Sequence, residues 1–308
     1  MEQNPARSFV ITPEVKASLE SSAPVVALES TVITHGLSYP ANLETATAME
    51  QSVRDGGAVP ATIAILGGKI HVGLDESQLA YLAAKPAQEV YKCSRRDLAT
   101  IVAQGCDAGT TVAGTMIVAH AAGISLFATG GIGGVHRGHP FDVSADLEEL
   151  GRTPVTVVCS GAKSLLDLPA TLEVLETKGV PVLGYQTDEL PAFFARHSGL
   201  PISARLDSAA SVAGVVSAQR LLGLQSGILV VVPVPSAEAY DAELAEAVIN
   251  QATRDAEAIG VTGAATTPWL LRRIAELSSG ESVQANVALL RNNGRVAAEI
   301  AAALAALA

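Results

Sequence analysis

Short apolar runs that stop abruptly at small or polar residues limit most strongly how this chain can fold. Residues 25–28, 155–159 and 227–232 are three such runs, each too short for a helix and almost continuously apolar. Continuous apolarity is typical of strands buried on both faces, since successive strand side chains point to opposite faces. Segments with helical periodicity, such as residues 42–55 and 168–177, alternate with the runs. The order predicts βα units and a mostly parallel sheet.

One tight turn adds an antiparallel pair to this pattern. Gly67 and Gly68 separate two strand-like segments, residues 61–66 and 69–72. Two glycines supply the positive φ angles that a two-residue hairpin requires. We therefore predict one α/β domain over residues 1–308, with a mixed, mostly parallel central sheet and helices on both faces.

Composition and charge exclude several classes of function. The 308 residues are 49% hydrophobic and 17% charged, which is typical of a globular protein with a large core. The formal net charge of −11 lacks the cationic excess that nucleic-acid-binding proteins use. Residues 108–136 are nearly uncharged but hold seven glycines and four threonines, so we reject a membrane span there. Residues 1–10 contain no apolar signal core, and we expect a cytoplasmic protein.

The three cysteines, Cys93, Cys106 and Cys159, are odd in number, widely spaced and form no Cys-x-x-Cys pair. We expect buried free thiols at these positions.

A glycine-rich segment, TGGIGGVHRG, follows a predicted strand at residues 124–128. His136 stands where the last glycine of a dinucleotide-binding fingerprint would be, so the segment is not that motif. Loops at the carboxyl ends of strands are the usual ligand positions in α/β sheets. We interpret residues 130–134 as a loop whose amides approach an anion, with His136 and Arg137 adding donors or charge. The alternative is a plain tight turn.

Two carboxylates lie close together just beyond this segment. Asp142 and Asp146 are four residues apart with Ser144 between them, an oxygen set that suits a hard cation. The alternative is a helix cap at Ser144 or Asp146.

Two residues at the ends of apolar runs are candidates for catalysis. Lys163 follows residues 155–159, and a partly desolvated amine there would be a Schiff-base nucleophile. Glu29 follows residues 25–28 and would serve as a proton donor. The alternatives are a solvated surface lysine and a carboxylate held in an ion pair.

Longer motifs resemble pseudouridine-5′-phosphate glycosidase, and the likeness spans nearly the whole chain. It implies reversible cleavage of the C–C glycosidic bond of pseudouridine 5′-phosphate to uracil and ribose 5-phosphate. It also implies a divalent metal, typically Mn²⁺, and a homotrimer. The motifs are VALEST (residues 26–31), THG (34–36), KCSRRDL (92–98), TTVA (110–113), FATGGIGGVHRG (127–138), DVSADL (142–147), VVCSGAKSLLD (157–167) and GYQT (184–187).

The resemblance implies roles for individual residues. Glu29 matches the proton donor, Lys163 the nucleophile and Asp142 the metal ligand. We expect Glu29 to protonate the ribose ring oxygen and Lys163 to capture C1′ as an imine-type adduct. The segment between Gly138 and Asp142 is shorter than in some members, which leaves the metal-loop geometry open. The substrate-binding positions are Lys92, Val112, His136, Ser144, Ala145, Asp146 and Asn286.

Two other functions are compatible with these residues. A Schiff-base lyase or aldolase acting on another sugar phosphate would also use Lys163 and a glycine-rich loop. Dependence on uracil in the reverse direction separates that enzyme from a glycosidase. A non-catalytic binding module for sugar phosphates or nucleotides would keep the pocket, but it would not need a nucleophile.

Overall fold

A computed structural model describes residues 9–261 and 266–307. The expectation of no signal core concerns residues 1–10, and residues 1–8 of these lie outside the described residues. The strands are β1 (Phe9–Ile11), β2 (Val25–Leu28), β3 (Val59–Leu66), β4 (Lys69–Val72), β5 (Tyr91–Cys93), β6 (Ala108–Thr110), β7 (Leu126–Ala128), β8 (Val135–His136), β9 (His139–Val143), β10 (Thr156–Cys159), β11 (Leu166–Asp167), β12 (Val182–Tyr185), β13 (Ala204–Leu206) and β14 (Ile228–Val231).

Helices alternate with these strands through most of the chain. A π-helical turn at Val32–Gly36 and a 3₁₀ turn at Ala87–Glu89 are shorter elements. The α-helices are α1 (Pro13–Glu20), α2 (Ala41–Asp55), α3 (Glu76–Ala84), α4 (Leu98–Gln104), α5 (Val112–Ala122), α6 (Ala145–Leu150), α7 (Leu168–Thr177), α8 (Ala209–Leu221), α9 (Ala242–Ala258), α10 (Thr266–Leu277) and α11 (Glu281–Ala305).

The central sheet is mixed and mostly parallel. Its strand order is β1-β4-β3-β2-β7-β10-β14-β12-β13. The seven neighbouring strands β3, β2, β7, β10, β14, β12 and β13 all run parallel. The predicted hairpin joins β3 and β4 as an antiparallel pair, with Gly67 at φ +56° and Gly68 at φ +76°. β6 pairs with β3 and β5, while β11, β8 and β9 form a separate three-stranded antiparallel sheet. The predicted fold class is confirmed, and the domain extent of 1–308 stays a prediction.

Helices cover both faces of the sheet. Every residue of β2, β7, β10 and β14 is buried, which requires cover on each face because strand side chains alternate. One group of helices, α2, α8 and α11, packs together, and α11 also contacts β2, β7 and β10. A second group is formed by α5, α6 and α7.

Strand register determines where the site forms. Leu28 pairs with Ala128, and Ala128 pairs with Val158, so three parallel strands end side by side. The residues that follow β2, β7 and β10 therefore meet at one edge of the sheet, the usual ligand position in this fold class.

The sequence patterns predict helices over residues 237–259 and 286–307 and a helix start after Ser94, and the structure differs at these three boundaries. α9 begins at Ala242 rather than 237 because the Asp241 carboxylate caps it, accepting from the amides of Glu243 and Leu244. α11 begins at Glu281, five residues before the predicted start, directly after Gly280 at φ +89°. α4 begins at Leu98, because the residues after Ser94 form a turn.

The three cysteines are free thiols, as predicted, although only two of them are buried. Cys93 and Cys159 lie in the core, and burial raises the pKa of each thiol to about 12. Cys106 is partly exposed. Within residues 9–261 and 266–307, no helix is long and apolar enough to cross a membrane.

Candidate active site

The candidate active site is a cleft with two lobes, an apolar lobe and a polar lobe. Glu29, Thr31, Lys92 and Lys163 line both lobes and so mark their junction. The apolar lobe is otherwise lined by Val32, His35, Gly36, Thr129, Gly130, Gly131, Phe193, Leu271, Asn286 and Leu290. The polar lobe is otherwise lined by Ser94, Arg95, Arg96, Asp97, Thr111, Val112, Gly133, His136, Asp142, Val143, Ser144, Ala145, Asp146, Glu148, Arg152 and Leu166.

All ten site residues singled out from the sequence line this cleft. The candidate acid and both lysines lie at the junction, and Asn286 lies in the apolar lobe. The remaining six line the polar lobe: Val112, His136, Asp142, Ser144, Ala145 and Asp146.

Glu29 is the acidic group at the junction, placed there by the end of β2. The Thr129 hydroxyl donates a hydrogen bond to Glu29 Oε1. Burial raises the pKa of the Glu29 carboxyl; the charges of Lys163 and Lys92 and the Thr129 hydrogen bond oppose this effect, and Asp146 adds to it. The net pKa lies above the ordinary value of 4.5. Glu29 therefore stays protonated to a higher pH than an exposed glutamate, which suits a proton donor.

Two amines face this acid. Lys92 lies in the short strand β5, and Lys163 lies in the turn after β10, where its amide donates to the Ile132 carbonyl at 3.1 Å. Both side chains are half-buried, so neither is a fully solvated surface lysine. Burial lowers the pKa of Lys92, and the charge of Lys163 lowers it further. The junction thus combines a carboxyl of raised pKa with two amines, as proton transfer and nucleophilic attack require.

The glycine-rich loop packs closely against the protein, and three of its backbone amides donate to protein acceptors. The amide of Ile132 donates to the Gly161 carbonyl at 3.0 Å, and that of Gly133 donates to Asp146 Oδ2 at 2.9 Å. The amide of Val135 donates to the Thr171 hydroxyl at 3.0 Å. The anion cradle predicted over residues 130–134 is therefore wrong for the amides of Ile132 and Gly133, because each already donates to a protein acceptor.

Arg137 also departs from its prediction. Its guanidinium donates to the carboxylate of Glu246 at 2.8 Å and to the Ser164 and Leu166 carbonyls at 2.8 and 3.1 Å. It therefore holds the segment after Lys163 against α9, outside both lobes. A guanidinium with three protein partners is not available to a ligand.

Ser144 and Asp146 act structurally in this fold. Ser144 caps α6 by accepting from the Asp146 amide at 3.2 Å, which confirms the helix-cap alternative. The Asp146 carboxylate accepts from the amides of Ala113 and Gly133, both at 2.9 Å. One buried carboxylate thus joins the first turn of α5 to the glycine loop.

The residues present fit a hydrated cation rather than a fully protein-ligated metal. Asp142 lies exposed on β9 and lines the polar lobe. Among the described residues, no group of three His, Cys, Asp or Glu side chains could hold a metal ion. Mg²⁺ and Mn²⁺ accept oxygen ligands, and Mg²⁺ commonly takes one or two carboxylates with the remaining positions filled by water and substrate. Asp142 is a suitable single anchor for such an ion.

Sequence reasoning missed several residues of the cleft. Phe193 has φ +62°, a costly conformation for a non-glycine residue, and its ring packs on Gly131. Arg95 lines the polar lobe and donates two hydrogen bonds of 2.6 Å to the fully buried Glu149. Arg95 belongs to the KCSRRDL motif, so its position was a usable signal. The GYQT motif ends six residues before Phe193, but no residue type or spacing around Phe193 itself indicates that its side chain lines this cleft.

A Gly133→Ala substitution is expected to destabilise the protein and slow catalysis. A Cβ atom at this position would lie 2.2 Å from Ser144 Oγ and 2.9 Å from Asp146 Oδ2. We expect the free energy of unfolding to fall by about 1–3 kcal/mol, as in other overpacked sites. Urea unfolding and kcat measure the two effects. Gly214→Ala is the control, since its Cβ meets nothing within 4 Å; equal stability and activity in both variants would contradict this account.

Comparisons with known proteins agree with this geometry. A family model described as "Indigoidine synthase A like protein" matches residues 14–303. Relatives named pseudouridine-5′-phosphate glycosidase from Herpetosiphon aurantiacus and Paracoccus denitrificans are 55% and 56% identical, covering 96% of this chain and 98% of their own. The solved structure of the prealnumycin C-glycosynthase AlnA in complex with ribulose 5-phosphate is 40% identical, with a TM-score of 0.89 over 97% of each chain. The chain therefore belongs to the indigoidine synthase A-like family, and its resemblance to pseudouridine-5′-phosphate glycosidase is confirmed.

Proposed function

We propose that this protein reversibly cleaves the C–C glycosidic bond of pseudouridine 5′-phosphate, yielding uracil and ribose 5-phosphate. The observation that carries the proposal is the junction of the two lobes, where Glu29 with a raised pKa lies beside Lys92 and Lys163. Relatives more than half identical over nearly the whole chain carry the name of this activity.

A carbon leaving group explains why the reaction needs these side chains. Uracil leaves through C5, so a glycosidase acid has no leaving oxygen to protonate. Glu29 instead donates its proton to the ribose ring oxygen while the Lys163 amine attacks C1′, and the bond between C1′ and the ring oxygen breaks. The ammonium formed at Lys163 then loses a proton to the Glu29 carboxylate. Glu29 delivers a proton to uracil C5 as the C1′–C5 bond breaks, and the Lys163 nitrogen lone pair forms the imine. Water hydrolyses the imine to ribose 5-phosphate and regenerates Lys163.

The two lobes suit the two halves of the substrate. Lys92 and the His136 ring supply hydrogen-bond donors to the polar lobe. An amine and an imidazole N–H suit a phosphate, so we assign the ribose phosphate to this lobe. Phe193 and Asn286 of the apolar lobe supply a flat apolar surface and an amide, which suit a uracil ring.

A divalent metal, Mn²⁺ in our proposal, would be held by Asp142 together with water in the polar lobe. When bound, it supplies positive charge that neutralises substrate oxygens. The residues of the junction perform the proton transfer and the nucleophilic attack.

Chromatographic detection of uracil tests the proposed function. Purified protein is incubated with pseudouridine 5′-phosphate, with and without added Mn²⁺, and then with uracil and ribose 5-phosphate for the reverse reaction. We expect uracil release and Mn²⁺ dependence. Turnover of another sugar phosphate without dependence on uracil would support the lyase or aldolase instead. Tight binding without turnover would support the non-catalytic module.

Asp142→Asn is expected to weaken Mn²⁺ binding and leave the fold unchanged, because the amide keeps the shape of the side chain but loses its charge. A loss of about 10–100-fold in metal affinity matches the effect of altering a metal-binding shell. Mn²⁺ titration followed by electron paramagnetic resonance measures the affinity without requiring turnover. Asp188→Asn, whose exposed carboxylate bonds Arg205, is the control. Unchanged Mn²⁺ affinity in Asp142→Asn would contradict the assignment.

The homotrimer that the resemblance implies and the cytoplasmic location expected from residues 1–10 belong to the same proposal. Light scattering during size-exclusion chromatography tests the first, with an expected mass of three times 31.4 kDa. Cell fractionation tests the second.

A further inference from the structure

A buried asparagine on α11 contacts two of the loops that form the cleft. Asn293 is 0% exposed. Its Nδ2 donates to the Thr129 carbonyl at 2.9 Å and to Ser160 Oγ at 3.1 Å, with Gly130 O at 3.5 Å. Ser160 Oγ also lies 3.3 Å from Asn293 Oδ1 and can donate to it. The amide thus joins the loop after β7 to the loop after β10.

Short contacts lead from this amide to the reacting groups. On one side, Thr129 donates its hydroxyl to Glu29. On the other, the loop after Ser160 leads within three residues to Lys163. Backbone hydrogen bonds join the same two loops, from Ser160 N to Gly130 O at 2.8 Å and from Lys163 N to Ile132 O at 3.1 Å. Asn293 itself lines neither lobe.

α11 also presents its active-site face here. Asn286 lies seven residues before Asn293, two helical turns away on the same side, and it lines the apolar lobe. A Cβ atom at Gly130 would lie 3.3 Å from side-chain carbons of Leu289 and Leu290, so the helix packs directly on the loop. The loop thus has little room to move independently of the helix.

We propose that Asn293 is a positioning residue, which sets the distance between the proton donor Glu29 and the nucleophile Lys163 by holding both loops through one amide. This inference rests on the proposed function. The amide touches no substrate and acts through Thr129 and Ser160. A buried side-chain amide with partners on two loops fixes their relative position, because any separation leaves a buried polar group unsatisfied.

Asn293→Leu tests the role, because leucine has a similar size but no hydrogen-bonding group. We expect kcat to fall by about 100-fold with little change in KM, since a misplaced reacting group slows the chemical step more than binding. Asn292→Leu is the matched control on the same helix, because Asn292 contacts Pro233 and Arg295 instead. Ser160→Ala removes the hydroxyl that bonds the Asn293 amide, and it replaces Asn293→Leu as the test if that variant does not fold. We expect kcat of Ser160→Ala to fall as well, by a smaller factor.

A second readout is independent of turnover. Competitive labelling of Lys163 with acetic anhydride over a pH series, read by peptide mass spectrometry, reports the environment of its amine. We expect the labelling profile to change in Asn293→Leu and to match wild type in Asn292→Leu. If the unmodified protein releases no uracil, the proposed function is overturned, and the labelling profile alone decides on the positioning. A profile and a kcat in Asn293→Leu that match those of Asn292→Leu would overturn the inference.

Discussion

Lys163→Ala is expected to abolish uracil release while the protein remains folded. The amine is the nucleophile in our scheme, and no other group would form the bond to C1′. Removing a nucleophile lowers kcat by about 10⁴-fold or more in enzymes that react covalently. Lys163 is half-buried at the edge of a cavity, so its truncation leaves the core intact. Uracil release measured by chromatography, together with circular dichroism, checks both parts of the expectation.

Two further variants separate nucleophilicity from charge. Lys163→Arg keeps the positive charge but does not form an imine, so it is expected to be as inactive as Lys163→Ala. Lys92→Ala removes the neighbouring amine and is expected to weaken substrate binding more than it slows the chemical step. Borohydride treatment of wild-type protein with ribose 5-phosphate should add mass to the peptide containing Lys163. Appreciable uracil release by Lys163→Ala would eliminate the Schiff-base mechanism.

Glu29→Gln is expected to lower kcat by about 10²–10⁴-fold, the usual contribution of general acid catalysis. The pH dependence has a defined sign. Burial raises the pKa of Glu29, so the residue is protonated and active below that pKa and loses its proton as the pH rises through it. Wild-type kcat should therefore decline on its alkaline side, and this decline should be missing from the residual activity of Glu29→Gln.

Glu29→Gln is expected to raise the stability of the protein although it lowers kcat. A carboxyl whose pKa is raised by folding contributes its full stability below the unfolded value of 4.5 and loses it as the pH rises through the folded pKa. At neutral pH the wild-type protein therefore carries an acid whose ionisation the folded state disfavours, a cost in stability that Glu29→Gln lacks. We expect a higher Tm for the variant at pH 7. A lower Tm combined with unchanged kcat would show that Glu29 is structural.

Thr129→Val tests the hydrogen bond to Glu29 separately. The Thr129 hydroxyl lowers the pKa of Glu29 by bonding its carboxylate. Its removal should move the alkaline decline of kcat to higher pH, because the ionised form loses a donor. If the alkaline decline of kcat stays at the same pH, a group other than Glu29 is responsible for it.

Local patterns were enough to predict the elements that lie near the site. The Gly67-Gly68 hairpin, the ends of β2 and β10 and the positions of Glu29 and Lys163 all follow from consecutive residues. The small sheet of β8, β9 and β11 was not predicted, because its strands are two to five residues long and β11 is distant in sequence from β8, pairing Leu166 with His136. Short segments carry too little periodicity to be recognised.

Two predictions at the site, for Arg137 and for the amide of Gly133, were wrong because each group already bonds another part of the protein. Arg137 was expected to face a ligand, but its carboxylate partner Glu246 is 109 residues away. The amide of Gly133 was expected to face an anion, but Asp146 accepts from it. In each case the group was chemically suited to the predicted role, but a neighbouring carboxylate accepts its hydrogen bond in the folded protein.

The sequence by itself predicted the α/β class and the strands that end in polar residues, and it singled out Glu29, the two lysines and Asp142 as candidate site residues. Only the tertiary structure decided which of these groups share a cavity, that Asp146 is committed to two backbone amides, and that Asn293 joins the loops beside Glu29 and Lys163. The reason is physical. Strand and helix formation depends on neighbours a few residues apart, whereas the hydrogen bonds that assign these polar groups their roles join residues 13 to 164 positions apart.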